Sequence, residues 1–87
     1  MSLNLKNKNI LITGGTGSFG STFLNKIYLN KSFKEVRIFS RDEKKQDDLR
    51  KKINSPKVKF YIGDVRDIES VNNAVKGVDY VFHAAAL

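Results

Sequence analysis

The chain has 87 residues, with 16 Lys and Arg against 9 Asp and Glu, a net charge of +7, one proline, no cysteine and no tryptophan. That length holds one small domain. The missing thiols exclude a disulfide framework or a thiolate metal site and fit a reducing, cytoplasmic setting, and no apolar run approaches the ~20 residues of a membrane span.

The elements read in the order strand, helix, strand, helix, strand, helix, strand. The first strand is Asn9 to Thr13, with the apolar run Ile10-Leu11-Ile12. A turn with glycines at 14, 17 and 20 follows, then a helix from about Ser18 to Asn30. Phe19, Phe23, Leu24, Ile27 and Tyr28 give that helix an apolar stripe at helical spacing. Strand, glycine turn and amphipathic helix together are the layout of a dinucleotide-binding unit. A pyrophosphate binds well against bare N–H groups at a helix N-terminus, where the macrodipole favours an anion. Gly14 lets the chain turn out of the strand, Gly17 lets backbone approach the phosphates, and Gly20 lets the helix pack closely. A triphosphate loop is excluded: Gly15 and Gly20 have its spacing, but Ser21-Thr22 stands where Lys-Ser/Thr is required.

The second strand is Val36 to Ser40. The ribose of a bound adenosine belongs at its end, about 20 residues past the last turn glycine. Ser40-Arg41-Asp42 stands there. A hydroxyl followed by a guanidinium suits a 2′-phosphate, and Lys44 or Lys45 adds charge one helical turn on, so NADP is the expected cofactor. Asp42 keeps NAD open as the alternative, and a solvated helix face would also account for the two lysines. Asp42 to Ile53 reads as a polar surface helix anchored by Leu49 and Ile53 and ended by Asn54-Ser55-Pro56. The densest basic group of the chain (Arg41, Lys44, Lys45, Arg50, Lys51, Lys52) is interleaved with Asp42, Glu43, Asp47 and Asp48. That pattern describes i,i+4 pairs on a solvated face, so no nucleic-acid partner is expected.

The third strand is Val58 to Ile62, stopped by Gly63. In Gly63-Asp64-Val65 the carboxylate can accept from an adenine amino group, with the Val65 backbone completing the contact. Asp64 can equally cap the turn before the third helix. That helix, Asp67 to Val75, places positions 68, 71, 74 and 75 on one face, with Asp67 as N-cap. Lys76-Gly77 closes it, a cation near the last carbonyls and glycine just past the end. The fourth strand is Tyr80 to Ala84. Small side chains at Ala84, Ala85 and Ala86 let backbone approach a ribose and nicotinamide, although packing against a helix would also select alanine. His83 lacks an evident orienting partner and reads as structural rather than as an acid–base group. No catalytic set is visible: Tyr28, Tyr61 and Tyr80 have no lysine four residues on.

Short, buried, β-branched strands alternating with helices predict an α/β fold, a parallel sheet with right-handed crossovers. It is the β-α-β-α-β-α-β N-terminal half of a Rossmann, or doubly wound, domain, which normally has about six strands. Residues 1–87 are thus expected to be part of an NAD(P)-binding domain of a longer protein, with the rest of that domain and a substrate domain beyond them.

With Thr13-Gly14-Gly15-Thr16-Gly17-Ser18-Phe19-Gly20, Ser40-Arg41-Asp42-Glu43-Lys44-Lys45-Gln46, Gly63-Asp64-Val65-Arg66-Asp67 and His83-Ala84-Ala85-Ala86-Leu87 in order, the chain resembles the extended short-chain dehydrogenases/reductases. More narrowly, it resembles the N-terminal part of the inverting UDP-N-acetylglucosamine 4,6-dehydratases and their polysaccharide-biosynthesis relatives. The resemblance implies a bound NADP, a UDP-sugar substrate and a homo-oligomeric full-length lyase acting in bacterial surface glycan biosynthesis. It implies that Thr16, Gly17, Ser18 and Phe19 hold the pyrophosphate, and Ser40 to Lys45 the 2′-phosphate and ribose. Asp64 and Val65 would meet the adenine, and Ala85 the nicotinamide side. The family's catalytic residues have no matching positions here. A UDP-sugar C4 or C5 epimerase of the same superfamily and a non-catalytic NADP-binding sensor remain the alternatives.

Overall fold

The computed structural model describes residues 5–14, 22, 24–26 and 32–83. Four parallel strands, β1 (Asn9–Thr13), β2 (Glu35–Ser40), β3 (Val58–Ile62) and β4 (Tyr80–His83), form one sheet in the order β3-β2-β1-β4. Helix α1 (Glu43–Ile53) joins β2 to β3, and α2 (Ile68–Val75) joins β3 to β4. Residues 22 and 24–26 are also helical and fall inside the first helix expected from the sequence; the rest of that stripe lies outside the described residues. The observed order is that of the N-terminal half of a Rossmann domain.

The direction of the connections decides which face each helix covers. From β1 the chain steps outward through β2 to β3, then crosses back to the far side of β1 as β4. Right-handed crossovers put residues 22 and 24–26 and α1 on one face and α2 on the other. Strand alternation sorts the core accordingly. Ile10, Ile12, Val36, Ile38 and Val58 pack with Leu24 and Phe33 on the first face, with Leu49 and Ile53 of α1 against them. Leu11 and Phe39 pack with Ala74 on the second, beside Val71 and Val75 of α2. Each such buried side chain stabilises the fold by about 2 kcal/mol.

The burial expected of all four strands holds in β1 and β2 but fails in β3, where Val58 alone is buried, and in β4, whose residues alternate half-buried and exposed. The reason is position: β3 and β4 are the outer strands of the described sheet, and Val81 is 54% exposed. Ile68 also departs from expectation. At the first position of α2 it is 74% exposed, while Val71, Ala74 and Val75 carry the packing.

Local chemistry sets the helix ends. The Asp42 carboxylate caps α1 by accepting from the Lys45 N–H at 2.9 Å. The helix stops at Asn54, a left-handed residue (φ 46°) whose N–H donates to the Arg50 carbonyl at 2.8 Å, so it is already closed before Pro56 is reached. Asp67 caps α2, accepting from the Glu69 N–H at 3.1 Å and the Ser70 hydroxyl at 2.8 Å. The cation expected at the last carbonyls of α2 was Lys76, but Arg37 of β2 takes that place. Its Nη1 donates to the carbonyls of Ala74 (2.9 Å) and Lys76 (2.6 Å), while its Nε donates to Glu35 at 2.6 Å.

Candidate functional site

Because all four strands are parallel, Thr13, Ser40, Ile62 and His83 end together along one edge of the sheet. The strand order reverses between β1 and β4, which makes this edge the place where doubly wound sheets hold ligands. Gly14 opens the turn there in the left-handed region (φ 69°), with its N–H donating to the Phe39 carbonyl at 2.8 Å. A β-carbon would strain that turn. Thr16, Gly17, Ser18, Phe19 and Gly20 of the expected cradle, and Ala84, Ala85 and Ala86 after β4, lie outside the described residues.

At the end of β2, Ser40 is nearly buried, and its hydroxyl accepts from the Gln46 carboxamide at 2.9 Å. Arg41 is exposed, with one guanidinium nitrogen 3.8 Å from the Asp64 carboxylate. Asp42 spends one carboxylate oxygen on the helix cap. Lys44 and Lys45 stand exposed on the first turn of α1. Three cations therefore gather around the end of one strand.

At the end of β3, Gly63 has no room for a side chain: a β-carbon would meet the Phe39 ring at 2.8 Å and Ser70 at 2.9 Å. Its N–H donates to the Ser40 carbonyl at 2.9 Å, holding the ends of β2 and β3 together. The Asp64 carboxylate caps its own turn by accepting from the Arg66 N–H at 2.9 Å, and it also accepts from the Arg66 guanidinium at 2.8 Å. These hydrogen bonds, reinforced by the charges of Arg66 and Arg41, lower its pKa from 3.8 to about 2. Asp64 is thus a fixed anion across the neutral range. Val65 beside it is 42% exposed, an apolar surface next to a hydrogen-bond acceptor.

His83 does have a partner. Its Nδ1 lies 2.5 Å from the hydroxyl of Thr13, its register partner on β1. When Thr13 donates, the ring proton sits on Nε2. Three residues that hold this edge were not singled out from sequence for doing so: Gln46, Arg66 and Thr13. Arg66 was within reach of pattern reading, two residues past Asp64; the other two make contacts set by the fold.

The edge fits an anionic dinucleotide. A left-handed glycine follows β1, exposed cations follow β2, and an ionised carboxylate with an apolar neighbour follows β3. Among the described residues there is no cluster of His, Cys, Asp and Glu that could hold a metal ion. No helix among them is long and apolar enough to cross a membrane.

A family model described as polysaccharide biosynthesis protein matches residues 10–87. The sequence is 64% identical over 83 residues to a UDP-glucose 4-epimerase of Rickettsia bellii, covering 92% of this chain and 24% of that protein. The chain thus spans about a quarter of the length of the curated relatives it matches. Pen from Bacillus thuringiensis superposes with a TM-score of 0.90 at 40% identity, over 98% of this chain and 26% of that one. WbmF from Bordetella bronchiseptica, solved in complex with NAD+ and UDP, gives a TM-score of 0.71 at 25% identity, over 93% of this chain and 23% of that one.

Proposed function

The chain belongs to the polysaccharide biosynthesis protein family, and from that premise we propose that it forms the NADP-binding part of an enzyme that oxidises a UDP-sugar at C4. The observation that carries this reading is the meeting of Arg41 with Asp64 at the carboxyl edge, one strand away from the left-handed turn at Gly14. The UDP held by WbmF and the name of the UDP-glucose 4-epimerase relative support a UDP-sugar as the substrate class.

In this reading Thr16 to Phe19 cradle the pyrophosphate, and Ser40, Arg41, Lys44 and Lys45 hold the 2′-phosphate, where a guanidinium's planar fork matches phosphate oxygens. Asp64 accepts from the adenine amino group while the exposed Val65 lies beside the base. Ala84, Ala85 and Ala86 leave room for the nicotinamide half. The chemistry supplied by the bound cofactor is reversible acceptance of hydride from the sugar. Residues of the longer protein beyond this chain supply the acid–base groups, and that protein works as a cytoplasmic homo-oligomer.

Two outcomes begin with the same oxidation. The relative at 64% identity favours a 4-epimerase, in which hydride returns to C4. The Ser40-to-Gln46 and Thr13-to-Gly20 motifs favour a 4,6-dehydratase acting on UDP-N-acetylglucosamine, in which water leaves across C5 and C6 and the hydride returns to C6. Incubating the full-length protein with UDP-glucose and with UDP-N-acetylglucosamine, and following the products by NMR, separates them. UDP-galactose supports the epimerase and a 4-keto-6-deoxy sugar the dehydratase; turnover of neither substrate would reject the proposal.

A further inference from the structure

Helix α1 is mostly charged and exposed, yet Gln46 within it is fully buried. Its Nε2 lies 2.8 Å from the Tyr61 carbonyl, 2.9 Å from the Ser40 hydroxyl and 3.4 Å from the Ser40 carbonyl. The two carbonyls decide which way the carboxamide points, because a carbonyl oxygen only accepts. Turning the amide over would set Oε1 against both of them. With Nε2 so placed, Oε1 meets no donor among the described residues. A buried acceptor without a partner is costly; an apolar side chain of similar size would avoid that cost, at the loss of the donor to the Tyr61 carbonyl. The presence of glutamine here calls for a use of its donors.

That use follows from the polarity it imposes on Ser40. A hydroxyl has one proton to give, and when its oxygen accepts from an amide the proton is left for another partner. Ser40 is the last residue of β2, keeps 9% of its surface exposed, and immediately precedes Arg41. We propose that Gln46 is a positioning residue for the 2′-phosphate of NADP: it fixes the Ser40 hydroxyl as a donor beside the Arg41 guanidinium. Through the Tyr61 carbonyl it also ties the end of β3, which leads to Asp64, to the same point. The inference rests on the NADP reading of this edge. It assigns a role to a residue that touches no ligand itself.

The test is titration of the full-length protein with NADP+ and with NAD+, each variant checked for folding by circular dichroism. The readout is the ratio of the two dissociation constants, which a general loss of stability would not move. Gln46→Met keeps the volume and removes the donors, and should reduce the preference for NADP+ about tenfold, the scale of one hydrogen bond to a charged group. Ser40→Ala should do the same, and the double variant should lose no more than either single one. A folded Gln46→Met protein with an unchanged ratio overturns the role of Gln46 while leaving the NADP reading intact. A wild-type protein that prefers NAD+, or binds neither, overturns both. If Gln46→Met does not fold, the wild type decides. The Gln46 side-chain amide signals in a 15N-correlated NMR spectrum should shift with NADP+ and not with NAD+; the same response to both overturns the proposal.

Discussion

Helix α1 meets the core through Leu49, Ile53 and the fully buried Gln46, whereas α2 meets it through Val71, Ala74 and Val75 and has its last carbonyls answered by Arg37. Both helices are thus tied to the sheet by a polar side chain, but at opposite edges. Gln46 reaches from helix to sheet at the carboxyl ends of β2 and β3, where the ligand is proposed to sit. Arg37 reaches from sheet to helix at the far end of α2. The same kind of contact therefore serves different ends: one arranges donors for a ligand, the other closes a helix. Substitution at Gln46 should move selectivity, and substitution at Arg37 should move stability alone.

The largest stability effect is expected at Arg37. Replacing it with Met strips the donors from two carbonyls, leaves Glu35 without its partner at 2.6 Å, and removes the cation over the Tyr61 ring. Leaving partly buried acceptors and a carboxylate unmatched costs about 2–4 kcal/mol. Denaturant unfolding of Arg37→Met should show that loss, while the ratio of NADP+ to NAD+ affinity stays at the wild-type value. A changed ratio would break the division between the two edges.

The caps come next in size. Asp67→Ala and Asp42→Ala should each cost about 1 kcal/mol, the usual worth of an N-cap. Asp67 should be the more expensive, because its carboxylate meets two donors, the Glu69 N–H and the Ser70 hydroxyl, where Asp42 meets the Lys45 N–H. Unfolding midpoints of the two variants, measured side by side, check the order. A costlier Asp42 would show that α1 depends on its cap more than on Gln46.

These contacts differ in how far the sequence discloses them. Strand and helix positions were legible because short apolar, β-branched runs, apolar residues at helical spacing and the Asp67 cap are local signals, and the order β3-β2-β1-β4 is that of the doubly wound half which their alternation implies. The edge of the site was legible for the same reason: Gly14, Ser40 and Asp64 each stand at or just after a strand end. Side-chain partners were not. Gln46 sits among Lys44, Lys45 and Asp47 with nothing local to mark it as buried; its environment is made by Tyr61, fifteen residues on. Arg37 carries no local mark in β2 of what it will meet, and its meeting with Ala74 is made by topology. Thr13 and His83, seventy residues apart, are joined by strand pairing.

The smallest effect is expected where the connections around the two helices meet. Arg41 leads into α1 and Asp64 into α2, and their ion pair at 3.8 Å joins the connections beside the proposed ligand. Hydrogen bonds from Arg66, with the charges of Arg66 and Arg41, lower the Asp64 pKa from 3.8 to about 2. A carboxyl whose pKa is lower in the folded than in the unfolded state contributes stability that is fully present above the unfolded value and lost as pH falls through the folded one. Wild type should therefore lose its advantage over Asp64→Asn between about pH 4 and pH 2, with a constant gap above that window. Because Asp64 is only partly buried and its two arginines are largely exposed, the gap should be small and should shrink with added salt. Unfolding midpoints of both proteins across that range check it; a gap that stays constant down to pH 2 would mean that the arginines do not hold the carboxylate, and that Arg41 reaches a ligand without first leaving Asp64.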